Sequence, residues 1–269
     1  MIKKKIKNNN YGRYFYYSVK KIQIMPKKLS FEFNKYRRKK GKLDKCFTRI
    51  KDFNNLHNGK RCFIVATGPS LNLSDLDLIK DEFSFSMNSI IKLFNKTMWR
   101  PTYYAIQDVK VFDKLKDEID NLEMNVLAGD RIISKFKLPD KYILYPLNMY
   151  NTLFSPIINK FNPKFSDNSY ICVEDGFTIT YSLIQIAIYM GFREIYLLGV
   201  DCNYKNQGDN HVVSIGINQD KAEENNLRML TSYKVAKDYA NTHKISIVNC
   251  SRGGSLEIFE RKKLEDVIG

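Results

Sequence analysis

Residues 176–201, Gly-Phe-Thr-Ile-Thr-Tyr-Ser-Leu-Ile-Gln-Ile-Ala-Ile-Tyr-Met-Gly-Phe-Arg-Glu-Ile-Tyr-Leu-Leu-Gly-Val-Asp, leave a folding chain few choices. The run from Thr178 to Met190 carries no charge, and it predicts a buried helix of about four turns. Gly191 supplies a tight turn, and an apolar strand follows, ending in Gly199-Val200-Asp201. That is one αβ unit of an open sheet. In such sheets ligands bind outside the carboxyl ends of the strands, often against helix N-termini. Thr178 and Thr180 at the helix start and Asp201 at the strand end therefore face one expected site. His211 follows ten residues later on a polar loop.

The same alternation runs through most of the chain. Cys62–Ala66, Phe83–Met87, Thr102–Ile106, Asn125–Leu127, Tyr142–Tyr145 and Ile245–Val248 are short apolar runs of strand length. Continuous rather than alternating apolar runs fit strands buried on both faces. Between them lie a short helix opened by Ser74, an amphipathic helix over 109–121 and a long charged helix over 219–243. The fold expected is α/β, a Rossmann-like, mostly parallel doubly wound sheet with a basic N-terminal arm. Residues 146–175, with Pro146, Pro156 and Pro163, are irregular and are expected to form a lid over the site.

The net charge of +15 is unevenly spread. Residues 1–61 hold 20 Lys/Arg and 3 Asp/Glu, whereas the remainder holds 24 and 26. This divides the chain into a basic arm and linker over 1–60 and a near-neutral domain over 61–269. The arm interleaves Lys and Arg with Tyr11, Tyr14, Phe15, Tyr16, Tyr17, Phe31, Phe33 and Tyr36. Such composition suits an anionic membrane surface, and equally a solvated arm without a partner; nucleic acid is the least favoured of the three. The five cysteines show no C-x-x-C spacing, and neither a disulfide framework nor a zinc site is expected. No run of 18 apolar residues and no signal-peptide pattern is found, so the location expected is cytoplasmic, peripheral on the inner face of the cell membrane.

Each predicted strand ends in small or polar groups. Thr67-Gly68-Pro69-Ser70, Asn88, Gln107-Asp108, Asp201 and Asn249 with Ser251 are the nucleotide-binding candidates. Any one of them could instead be a helix cap or turn, and the Gly-Pro-Ser turn lacks the full G-x-G-x-x-G fingerprint. Of three histidines, His57 falls in the expected linker and His243 near a helix end, where it would complement the helix dipole. His211 is left as the candidate proton acceptor, imidazole being suited to take a proton near pH 7. No paired carboxylates occur at the strand ends, although Asp108 and Asp201 could still meet in space, so the sequence allows a metal without requiring one.

Three segments carry a resemblance: Ile64-Val-Ala-Thr-Gly-Pro-Ser-Leu71, Gly191–Asp201 with Tyr204, and Asn249-Cys-Ser-Arg-Gly-Gly-Ser-Leu-Glu-Ile-Phe-Glu-Arg261. Through them, residues 60–268 resemble the MptE-like domain family, named for archaeal 6-hydroxymethylpterin diphosphokinase. The chain is also similar to bacterial sialyltransferases of the Campylobacter lipooligosaccharide type, at Gly68–Leu71, Asn88, Thr178–Asp201 and a single downstream histidine. The second resemblance implies a general base at His211, with Tyr204 assisting the departing phosphate. It implies a nucleotide-sugar donor, CMP-linked by analogy, a glycan or lipid-linked glycan acceptor, and no required metal or other cofactor. The first implies a pyrophosphokinase using ATP and Mg, which asks for paired aspartates after the third strand, where this chain has Gln107-Asp108. A non-catalytic nucleotide-sugar or glycan-binding module is the remaining alternative.

Overall fold

The computed structural model describes residues 10–153, 161–203, 211–212 and 222–269. A long helix α1 (Asn10–Lys39) precedes β1 (Arg61–Val65), α2 (Leu73–Leu78), β2 (Ser84–Met87), β3 (Tyr103–Ile106), α3 (Val109–Asp120), β4 (Val126–Gly129) and β5 (Tyr142–Tyr145). The chain continues through β6 (Leu147–Asn148), β7 (Val173–Glu174), α4 (Ile179–Tyr189), β8 (Glu194–Leu198), α5 (Ala222–Thr242), β9 (Ser246–Asn249) and β10 (Glu260–Arg261).

Eight strands form one sheet in the order β10-β9-β8-β1-β2-β3-β4-β5, with every neighbouring pair parallel. The chain thus builds outward from β1 to β5, returns beside β1 as β8, and builds outward the other way. The order reverses between β1 and β8, and that is where a doubly wound sheet opens a ligand crevice. Strand parity explains why both faces are covered. Cys62 and Ile64 of β1 enter one core with α4 and α5, while Phe63 and Val65 enter the other with α2 and α3. The α4 helix is buried throughout, as its uncharged sequence demands. Among the described residues, no helix is long and apolar enough to cross a membrane.

The structure differs from the sequence expectation in several places. Residues 54–60 are packed structure, not linker. The N–H groups of Asn55, His57 and Gly59 donate to the carbonyls of Tyr189, Met190 and Gly191, closing the C-terminus of α4. Gly191 sits at φ +93, and a Cβ there would come within 2.8 Å of the Asn58 backbone. His57 is a core residue, its ring 4.8 Å from Phe192 and 4.4 Å from Phe83, with Nε2 2.7 Å from the Tyr103 hydroxyl. Phe47 and Ile50 are also buried, so the packed domain reaches back to about residue 44. In the expected lid, β6 and β7 pair, and the Tyr181 hydroxyl donates to the Lys164 carbonyl; residues 154–160 lie outside the described residues. Asn72, not Ser74, caps α2, with Asp75 completing a reciprocal capping box. A last strand, β10, adds to the sheet edge beyond β9.

Candidate functional site

At the carboxyl ends of β1 and β8 lies a small cleft with a cavity volume of about 50 Å³. Its polar lining comes from Thr67, Asn88, Thr178, Thr180, Asp201, Asn203 and His211. Gly68, Pro69 and Gly199 form the backbone wall, while Met87, Ile179, Met229 and Tyr233 supply apolar surface. Loops following three different elements therefore converge, as the strand ends led us to expect.

Local chemistry fixes each wall. Gly68 N–H donates to the Gly199 carbonyl at 2.9 Å, tying the β1 loop to the β8 loop. A Cβ on Gly68 would sit 2.4 Å from that carbonyl and 2.7 Å from the Asp201 carboxyl carbon, so only glycine fits. Asp201 braces the turn from below. One oxygen accepts from Ser70 N–H at 2.9 Å, and the other accepts from the Ser70 hydroxyl. Opposite, the Thr178 hydroxyl caps α4 by accepting from Thr180 N–H at 3.3 Å. The first turn of α4 faces the cleft, where the positive end of its dipole favours an anionic group.

The His211 ring enters from the loop after β8. Its Nδ1 is hydrogen-bonded to the Thr67 hydroxyl at 3.0 Å, and Val212 N–H donates to the Thr67 carbonyl at 2.8 Å. Burial lowers the His211 pKa below its ordinary 6.5, and a hydrogen bond to the Thr67 backbone opposes the shift. The imidazole is thereby held neutral near pH 7. Asn88, at φ +52, has its side-chain oxygen buried, and among the described residues that oxygen accepts no hydrogen bond. A buried acceptor left unpaired costs about 1–3 kcal/mol, which a ligand donor would recover. Phe177 at φ +66 and Cys202 at φ +49 add two more left-handed non-glycine residues at the cleft rim. Such backbone strain clusters at functional sites.

Other candidates serve the frame instead. Asp108 caps α3, accepting from Lys110 and Val111 N–H, and Gln107 accepts from the Tyr145 hydroxyl at 3.1 Å; neither lines the cleft. Asn249 is fully buried between Ser251 N–H and the Leu256 carbonyl, and the Ser251 hydroxyl accepts from Val200 N–H at 2.9 Å. These two hold the loop after β9 under the end of β8. In that loop Arg252 grips the buried Asp75 with two nitrogens, the shorter contact being 2.6 Å. His243 bonds the Tyr239 carbonyl at the end of α5. Tyr204 lies outside the described residues. Met229, Tyr233 and Asn203 line the cleft unforeseen, the first two because helical periodicity marks them as core.

Among the described residues, Asp201 is the only carboxylate lining the cleft, and Ser70 occupies both its oxygens.

A parallel sheet reversing beside a glycine turn, with a helix N-terminus across the opening, defines a Rossmann-like α/β protein with a ligand cleft at its switch point. Residues 40–207 match the family model described as 6-hydroxymethylpterin diphosphokinase MptE-like, and the chain belongs to that family. No curated protein matches it significantly. Among solved structures it is similar to the MAf glycosyltransferase from Magnetospirillum magneticum AMB-1, at 16% identity and a TM-score of 0.47. That likeness covers 82% of this chain and 38% of the other, so the chain spans well under half of that protein. It is also similar to the sialyltransferase CstII from Campylobacter jejuni in complex with cytidine-5'-monophosphate, at 18% identity and a TM-score of 0.47, covering 76% and 85% of the two chains.

Proposed function

We propose that the protein is a glycosyltransferase that moves a sugar from a nucleotide-activated donor, CMP-linked by the sequence resemblance, to a surface-glycan acceptor on a lipid carrier. The observation that carries this reading is His211, a neutral imidazole oriented by Thr67 at the mouth of a cleft whose far wall is a helix N-terminus. With Nδ1–H donated to Thr67, Nε2 is the basic nitrogen. It takes the proton of the acceptor hydroxyl while that oxygen bonds to the anomeric carbon. The bond from that carbon to the donor phosphate breaks, and its electron pair leaves with the nucleotide. The N–H groups opening α4 stabilise the departing phosphate, with Tyr204 assisting. Asn88, whose side-chain oxygen has no partner among the described residues, accepts a donor group of the nucleotide. The acceptor places the protein at the inner face of the membrane. The step uses no metal.

Family membership favours a second reading, a pyrophosphokinase acting on a pterin-like alcohol with ATP and Mg. Thermal-shift titration separates the two, because a ligand of the native state raises the melting point by mass action. A response to CMP without Mg supports the transferase, and one to ATP that requires Mg supports the kinase. His211→Ala should keep the nucleotide response and lose about 10²–10⁴-fold in turnover. Wild-type turnover should rise with pH through one ionisation below 6.5, because burial lowers this histidine. Full turnover in His211→Ala would remove the general base, and joint loss of fold and nucleotide response would make His211 structural.

A further inference from the structure

Helix α1 ends where the family match begins, at residue 40, and it has two unlike faces. Ile24, Lys28, Phe31, Lys35 and Arg38, spaced by four and three, are the less exposed face. There the Phe31 ring lies 5.6 Å from that of Tyr150, and Lys35 Nζ lies 2.9 Å from the buried Glu174. Arg38, buried, donates to the Ile171 carbonyl at 2.9 Å and to Asp44. On the opposite face, Phe15, Ile22, Leu29 and Tyr36 recur every seven residues, with Val19 and Phe33 beside them. All six are exposed, and Phe15 and Ile22 are each 71% exposed. At about 100° per residue they occupy one stripe roughly 100° wide.

An apolar stripe of this length on an exposed helix marks an interaction surface. Its charge selects the occupant. Over residues 10–39 there are nine Lys/Arg and one acidic residue, Glu32. Two α1 helices packed along their stripes would oppose two strongly positive surfaces, with almost no carboxylates to bridge them. An anionic bilayer meets both demands, taking Phe, Ile and Leu below the headgroups and Lys and Arg among them. We propose that α1 lies flat in the headgroup layer of an anionic membrane, stripe inward, as the docking surface of this protein. This gives a definite surface to the membrane placement stated above, and it does not depend on the reaction chemistry. Because Lys35 and Arg38 tie α1 to residues 171–174, just before the Thr178 cap, docking also holds the cleft in one orientation toward the bilayer.

The test is co-sedimentation of the full chain with phosphatidylcholine vesicles, alone or carrying about 30% phosphatidylserine. Wild type should bind only the anionic vesicles, and more weakly as salt is raised from about 0.1 to 0.5 M. The pair Ile22→Glu with Leu29→Glu should lose about tenfold or more in binding, as should Lys21→Glu with Lys27→Glu. Both pairs are exposed, so melting temperature and nucleotide response should stay unchanged. Equal binding to neutral and anionic vesicles, or wild-type binding by the stripe variant, would overturn the proposal. So would a dimer in sedimentation velocity that the stripe variant dissolves, with no vesicle binding, which would assign the stripe to a second copy. A protein that binds vesicles and turns over no donor would sink the transferase reading alone.

Discussion

Replacing Asp201 by alanine distinguishes a brace from a ligand contact. In the structure its carboxylate accepts from Ser70 N–H at 2.9 Å and from the Ser70 hydroxyl, with Gly68 packed against it. A hydrogen bond to a charged group contributes about 1.5–3 kcal/mol. Asp201 is partly exposed, so water replaces some of that interaction, and Asp201→Ala should cost about 2–4 kcal/mol in all. For a domain of this size each kcal/mol shifts the melting point by about 2–4 °C, giving a drop of roughly 4–16 °C. Ser70→Ala removes the hydroxyl bond alone and should cost about 1–2 kcal/mol. The double variant should be less destabilised than the sum by about 1 kcal/mol, because the two residues share that bond. Calorimetry on the four proteins measures the coupling, and nucleotide titration runs alongside. The brace predicts that Asp201→Ala loses stability and nucleotide affinity together. An unchanged melting point with abolished nucleotide binding would refute the reasoning and make Asp201 a direct ligand contact.

Two further outcomes follow from the frame. Arg252→Met should destabilise by about 1–3 kcal/mol, reduced from the buried-pair range by the exposure of Arg252, because it leaves the buried Asp75 without its partner. Adding Asp75→Asn should recover part of the loss in urea denaturation; no recovery would dismiss the charge argument. His57 has its pKa lowered, by burial first and by Lys60 second, so below about 6.5 the unfolded chain binds more protons than the folded one. Stability should therefore be full above pH 6.5 and fall on acidification, and His57→Gln should flatten that fall. An equal slope in both proteins would count against it.

The parallel α/β plan was legible because its signals are long or repeated. The uncharged run 178–190 became α4, and the strand ends at Gly68, Asn88 and Asp201 meet the helix start at Thr178 in one cleft. What stayed hidden has physical reasons. A polar residue at a strand end satisfies a ligand or the frame with the same atoms, so Asp108, Asn249 and Ser251 could not be told from contacts until their partners were visible. Tyr233 carries an apolar ring at a helical core interval, and nothing local shows that it borders a cleft. Residues 54–60 are polar and aperiodic because they bond through backbone N–H groups, which leave no side-chain pattern. Two-residue β10 is too short to show any period.

The backbone bonds from residues 55–59 to 189–191 also set a timetable for synthesis. β1 needs β8 as its second neighbour, and Phe47 and Ile50 settle in the core that α4 completes. All of these partners emerge from the ribosome more than a hundred residues after β1. At about 5–20 residues per second, the delay is roughly 7–25 s. During that interval the nascent chain carries an unpaired central strand edge beside exposed aromatic groups. Until β8 arrives, that open edge and those aromatic groups are free to associate with other chains.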